Sequence, residues 1–212
     1  MGGLFEVLQA GGVMIYPLLL LAVVAVAVML EKGFVFVKRA RLKRELLDLV
    51  ETYGFAWKDL ERAIGALDPR NYFAGFFRVI LENHARPAWW VESRAADEAS
   101  LIEKALGRWL WVLETIVTAA PLLGLLGTIT GMIRAFRLFG EQGLVDPTGV
   151  TGGVAEALIA TALGLFIALI ALFAFNYFSY RQAQVMDEME RLGTRLVDRI
   201  RLDAQPGKGE RP

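Results

Sequence analysis

The sequence predicts an all-α integral membrane protein with three transmembrane helices, the second and third extended into a helical cytoplasmic domain. Three observations predict it. The 212 residues are 55% hydrophobic before any of the 21 glycines is counted, whereas a soluble domain is about 45–50% apolar with glycine included. The apolar residues gather into three blocks without a charge, between Glu6 and Glu31, between Glu114 and Arg134, and between Glu156 and Arg181. Each block reaches the roughly 20 residues that carry a helix across a hydrocarbon core of about 30 Å. Finally, no alternating strand pattern occupies the stretches between them. A single block of this kind reads as well as a buried helix of a soluble protein; three in so short a chain do not.

Composition also removes whole classes of function. With 23 basic and 23 acidic residues the formal net charge is zero, so the electrostatic argument for a nucleic-acid partner is absent. Without cysteine there is no thiolate chemistry and no Cys-ligated metal. The one histidine, His84, cannot build a multi-His site, and it reads as a surface or helix-packing residue. No nucleophile–base pair or metal cluster can be assembled, so neither an enzyme nor a cofactor is expected.

Residues 1–12 hold no Lys or Arg and are expected outside the membrane. Residues 13–30 form the first span. A cleaved signal peptide would need a basic n-region before the apolar run and a small-residue cleavage site after it; the chain shows neither, and the block is read as an uncleaved span. Residues 31–108 carry fourteen of the basic residues, opening with Lys32, Lys38, Arg39, Arg41, Lys43 and Arg44, which places this segment inside. Turn signals at Gly65–Pro69 and Arg86–Ala88 divide it. Val91, Ala95, Ala99, Ile102, Leu106, Trp109 and Leu113 then recur at steps of three or four, one helical face. This stripe runs into the second span, residues 109–135, and predicts one helix from Val91 to Phe136 of about 45 residues, or about 68 Å. Trp89, Trp90, Trp109 and Trp111 before the span read as packing and an interfacial belt.

The connection 136–149 is expected outside, residues 150–180 form the third span, and 181–212 lie inside. Val185, Met189, Leu192, Leu196 and Ile200 prolong helix 3 beyond the membrane, and Gln205–Pro212 is expected to be disordered. Pro17 and Pro121 either kink spans 1 and 2 or mark their ends.

Spans 2 and 3 carry small residues at helical spacing. Gly153, Ala157, Ala160, Gly164, Ala168 and Ala171 make one stripe; Ala120, Gly124, Gly127 and Gly131 make another. Lipid tails give helices no hydrophobic reason to associate, so close backbone approach has to supply the packing. Polar groups sit on the same helices. Glu156 lies about two turns into the third span, where a charged carboxylate costs about 2.5–3.5 kcal/mol and should face protein or water. It reads either as a proton-relay acid or as a headgroup-level residue that ends the span. Thr128, Thr130 and Thr161 supply hydroxyls for a hydrated path, or simply bond their own helix carbonyls.

Two segments are more specific. Ala120–Phe136, APLLGLLGTITGMIRAF, closely resembles the signature of the ExbB/TolQ/MotA proton-channel family. Gly152–Tyr177, GGVAEALIATALGLFIALIALFAFNY, resembles that family's third transmembrane helix, with its EAL-x-x-T core. Tyr16-Pro17-Leu18 and Glu31-Lys32 resemble the flanks of its first helix, with Lys where Arg is more usual. The resemblance, nearest to the ExbB branch, implies a homopentameric ring in the bacterial inner membrane, with a periplasmic N-terminus and a cytoplasmic C-terminus. It implies a single-span dimer, ExbD-like or TolR-like, inside the pore, and a TonB-like or TolA-like protein that receives the work. The proton-binding Asp of such motors is on the partner. Carried onto this chain, Thr128, Glu156 and Thr161 are the pore-facing polar residues of the proton pathway. ExbB-like and TolQ-like roles both stay open, as do protons and sodium. A non-conducting helical scaffold is a third reading. A flagellar stator subunit is disfavoured by the count of three spans, and a solute transporter by the lack of an inverted repeat.

Overall fold

The computed structural model describes residues 12–42, 44–52, 55–137 and 147–204. The expected outer N-terminus up to residue 11, most of the connection 136–149 and the expected disorder of Gln205–Pro212 lie outside the described residues. Among the described residues seven helices follow in order: α1 Ile15–Lys38, α2 Arg44–Glu51, α3 Trp57–Gly65, α4 Tyr72–Asn83, α5 Ala88–Gly107, α6 Leu110–Arg137 and α7 Pro147–Asp203. No strand occurs among the described residues. Among the described residues three stretches are long and apolar enough to cross a membrane, within Ile15–Lys38, Ala88–Arg137 and Val150–Asp203.

The single helix expected from Val91 to Phe136 is not one helix. It is interrupted after α5 at Arg108 and Trp109, where Trp109 takes a φ of 70°. A left-handed residue other than glycine ends the regular hydrogen-bond ladder, and the predicted apolar face shifts at the break: Leu106 and Leu113 are buried, but Trp109 is 40% exposed and Leu110 is buried in its place. The break leaves last-turn carbonyls of α5 without helical donors. One of them, Leu106, accepts a 2.8 Å hydrogen bond from the fully buried Lys32 Nζ. Helix α7, by contrast, runs unbroken for 57 residues.

As far as described, the chain forms two compact units, one of residues 12–30 and 109–178, the other of 31–108 and 179–204. The second unit is packed like a water-soluble protein. Leu46, Leu60, Phe73, Phe77, Ile80, Leu106, Met189, Leu192 and Leu196 are buried at its centre. Asn71 caps α4 by accepting from the Phe73 amide at 2.9 Å, and its own amide donates to the Arg41 carbonyl at 2.9 Å, a side-chain cap that satisfies an otherwise orphaned donor. At the C-terminal end of α4, His84 lies against Trp57 with ring centroids 4.9 Å apart.

The first unit is built differently. The seam between α6 and α7 is made of Ala120, Gly124, Gly127, Gly131, Ala157, Ala160, Gly164, Ala168 and Ala171, with Ile15, Leu18, Leu113 and Ile116 also buried, while Leu122, Leu125, Leu158, Leu165, Phe166 and Phe173 are exposed. Pro17 falls in the first turn of α1, where its missing N–H costs no helical bond. Pro121 lies inside α6 rather than at its end.

Candidate ion-path site

Helices α6 and α7 meet along their small residues. A Cβ on Gly164 would lie 2.5 Å from the Ala120 carbonyl oxygen, and one on Gly131 would lie 3.0 Å from the Gly153 carbonyl oxygen. Gly124 similarly faces the backbone of Ala160 and Thr161, and Gly127 faces the Ala160 methyl group, with Met14 of the turn before α1 alongside. Even a methyl at Gly164 or Gly127 would meet the facing helix closer than 3.0 Å, so any side chain there would hold the two backbones apart.

Polar groups ride on this seam. Thr161 Oγ1 donates to the Gly124 carbonyl at 3.0 Å, crossing from α7 to α6. Such a bond is available only because glycine at 124 lets the backbones approach. Thr128 instead donates to its own helix, to the Leu125 carbonyl at 2.6 Å, and Thr130 donates to the Leu126 and Gly127 carbonyls at 3.0 and 3.1 Å. Of the three residues singled out for the pathway, Thr161 therefore bridges helices, Thr128 bonds locally, and Glu156 is engaged elsewhere.

Glu156 stands nine residues after Pro147, about 14 Å along α7 at 1.5 Å per residue. Its Oε1 is 2.7 Å from Arg134 Nη2, with the carboxylate side chain 20% exposed and the guanidinium side chain 47%. Arg134 belongs to the last turn of α6, where the helix dipole favours a cation. The carboxylate also lies against Gly12, whose φ of 66° belongs to the left-handed region that glycine enters without strain. A Cβ on Gly12 would fall on Glu156 Oε1 and 3.0 Å from Arg134 Nη2. The Gly12 carbonyl accepts from the Ile15 amide at 3.2 Å and so begins α1. The start of α1, the last turn of α6 and the third turn of α7 thus meet at one end of this unit. That is the up–down–up alternation that three successive spans require.

Arg134 and Gly12 were not singled out from the sequence as part of this site. Arg134 closes an uncharged block and reads as the first charge beyond the membrane; Gly12 reads as an unremarked residue before the first apolar run. The available signal was positional: a basic residue at the last turn of span 2 and an acid in the first turns of span 3 belong to ends that a short connection brings together. No group of three or more His, Cys, Asp or Glu that would hold a metal occurs among the described residues.

Three apolar helices, two of which face each other through glycine and alanine and carry Thr161 and Glu156 beside that seam, define a multi-pass helical membrane protein. The profile of the MotA/TolQ/ExbB proton channel family matches residues 70–191, more than half of the chain, and the chain belongs to that family. The biopolymer transport protein ExbB-like 1 of Synechocystis sp. is 33% identical over 198 residues, which covers 88% of this chain and 74% of that protein. The biopolymer transport protein ExbB of Xanthomonas campestris is 41% identical over 87 residues, 41% of this chain and 34% of that protein. The Tol-Pal system protein TolQ of Pseudomonas aeruginosa is 39% identical over 84 residues, 40% of this chain and 36% of that protein.

Proposed function

We propose that this chain is the ring-forming, proton-channel subunit of an inner-membrane motor, a homopentamer that surrounds a single-span ExbD-like dimer and passes work to a TonB-like protein. The observation that carries the reading is the acid–hydroxyl pair on the small-residue seam, with Glu156 on α7 and Thr161 bonded across to α6, in a chain of a proton-channel family. Protons cross along the face where the ring meets the partner helices, and the partner's carboxylate is neutralised and recharged in turn. Thr128, Glu156 and Thr161 are the polar residues of the ring that this carboxylate meets. Each charge moved through 100 mV supplies about 2.3 kcal/mol, enough to bias a stepwise rotation. The N-terminus lies in the periplasm and the tail in the cytoplasm, following the basic residues of 31–108 and 181–212.

The ExbB-like role is preferred over the TolQ-like one on the LLGLLGTITGM stretch of the second span; ExbB of Xanthomonas campestris and TolQ of Pseudomonas aeruginosa align over similar shares of the chain, 41% and 40%. Two experiments test the proposal. Native mass spectrometry of the purified full chain should give the mass of five copies; a persistent monomer or dimer, unchanged by the partner, rules out the ring. Glu156→Gln should leave assembly intact and abolish energised uptake across the outer membrane. Full uptake removes Glu156 from the mechanism, lowered assembly favours the passive scaffold, and a defect in envelope integrity with normal uptake assigns the chain to the Tol-Pal role.

A further inference from the structure

We propose that Arg134 is a positioning residue for Glu156, and that together with the Gly12 turn it forms a latch holding the Glu156 carboxylate on its own chain. The inference rests on the proposed role of Glu156 and adds residues that role does not name.

Three elements converge on one carboxylate. Arg134 Nη2 approaches Glu156 Oε1 at 2.7 Å from the last turn of α6. Gly12 lies against the same oxygen from the turn that opens α1, and its left-handed φ of 66° together with the absence of a Cβ is what gives the carboxylate room there. That position, beside a helix start, is one where a negative charge is favoured. Glu156 itself projects from α7, whose neighbouring Ala157 and Ala160 are seated on α6, so the helix cannot turn to carry the acid elsewhere without breaking the seam. The carboxylate is only 20% exposed while the guanidinium is 47% exposed. The acid is covered, and the arginine remains in reach of a competing anion. Glu156 becomes available to another charge when Arg134 releases it, through motion of side chains rather than helices. Arginine suits this task because its planar, permanently charged group pairs with a carboxylate yet stays weakly hydrated when it swings away.

The test uses the full chain in vesicles of phosphatidylethanolamine and phosphatidylglycerol and needs no partner protein. A lipid-soluble carbodiimide, dicyclohexylcarbodiimide, is added and the modification of Glu156 is timed by mass spectrometry, with Glu114 at the far end of the same helix pair as internal reference. Arg134→Gln should raise the rate at Glu156 relative to Glu114 about threefold to fivefold, the scale of losing a partly exposed ion pair, and Arg134→Lys should stay within about twofold of the wild type. Gly12→Ala forces the carboxylate out of its seat with Arg134 still present and should raise the rate as well. Equal rates in all four proteins overturn the latch, as does a rise with Arg134→Lys as large as with Arg134→Gln. If Arg134→Gln does not fold, Gly12→Ala decides alone, an unchanged rate overturning the proposal. Retention of energised uptake by Glu156→Gln would sink the motor role and leave this labelling result standing, so the two failures are distinguishable.

Discussion

The two units of this chain solve the same packing problem with opposite residues. Around residues 109–178 many large apolar side chains point outward, Phe166 at 60% and Leu165 at 55% exposure, and glycine and alanine fill the seam between α6 and α7, with Leu113 and Ile116 buried nearer the start of α6. In the unit of 31–108 and 179–204 the large side chains point inward, with Phe73, Phe77, Leu192 and Leu196 fully buried. The difference follows from the solvent. Water expels leucine and phenylalanine into a core at about 25 cal/mol per Å² of apolar area, whereas lipid is as apolar as they are and rewards only close contact between backbones. Long side chains bridge helices in both units, Arg134 to Glu156 at 2.7 Å in the first and Arg191 to Glu51 at 2.6 Å and Arg201 to Glu92 at 2.9 Å in the second, whereas the short Thr161 reaches Gly124 across helices because the gap between α6 and α7 is narrow.

The contrast can be broken most forcefully in the water-type unit. Phe77→Ala, at a side chain with no exposed surface that packs on Phe73 and Phe76, is expected to cost about 3–5 kcal/mol. Amide exchange across α4 and the adjoining α5 should rise to the level of local unfolding, and exchange left unchanged would mean that this cluster does not hold the unit. Next in size is a change of opposite character, Gly164→Leu, which enlarges a side chain where there is no room beside the Ala120 carbonyl. An overpacking loss of about 1–3 kcal/mol is expected, read as a lower thermal midpoint in detergent with weaker contact between α6 and α7; tolerance of leucine there would show that the seam is loose.

Lys32→Ala probes the helix break. It removes the donor to the Leu106 carbonyl and leaves a buried acceptor unsatisfied, for about 1–3 kcal/mol. Faster exchange confined to the last turn of α5 is the expected signature, and unaltered exchange there would show that the carbonyl finds another donor. The smallest effect sharpens the comparison. Leu165→Ala, on the exposed face of α7, should change stability by no more than about 0.5 kcal/mol. A cost equal to that of Gly164→Leu would place Leu165 in an interface, and intersubunit crosslinking at that position would then locate it.

Much of this organisation is legible in residue order, because burial repeats along a helix every three or four residues. Val185, Met189, Leu192, Leu196 and Ile200 announce their buried face by spacing alone, and all five are buried. Glu156 announces itself because an acid among apolar residues has a cost that needs an explanation. Its setting does not. Arg134 is 22 positions away in sequence and Gly12 is 144, and no periodicity couples residues on three separate helices. The break at Trp109 was hidden for a related reason: the stripe of apolar residues continues through it in the sequence, and the one stop signal beside it, Gly107 at the end of α5, is a single glycine of the kind that a helix tolerates.

By itself, then, the amino-acid order determined the three apolar spans, the helical character of what joins them and the small-residue faces of α6 and α7, all of which are set by local composition and by the repeat of a single helix. Only the tertiary structure decided that Lys32 would satisfy the end of α5, that Thr161 rather than Thr128 would bond across the seam, and that Glu156 would meet Arg134 beneath the Gly12 turn. Those outcomes depend on the register at which separate helices come to rest. Register is fixed by the sum of many close contacts, Gly164 on Ala120 and Gly131 on Gly153 among them, and no one helix carries it in its own sequence.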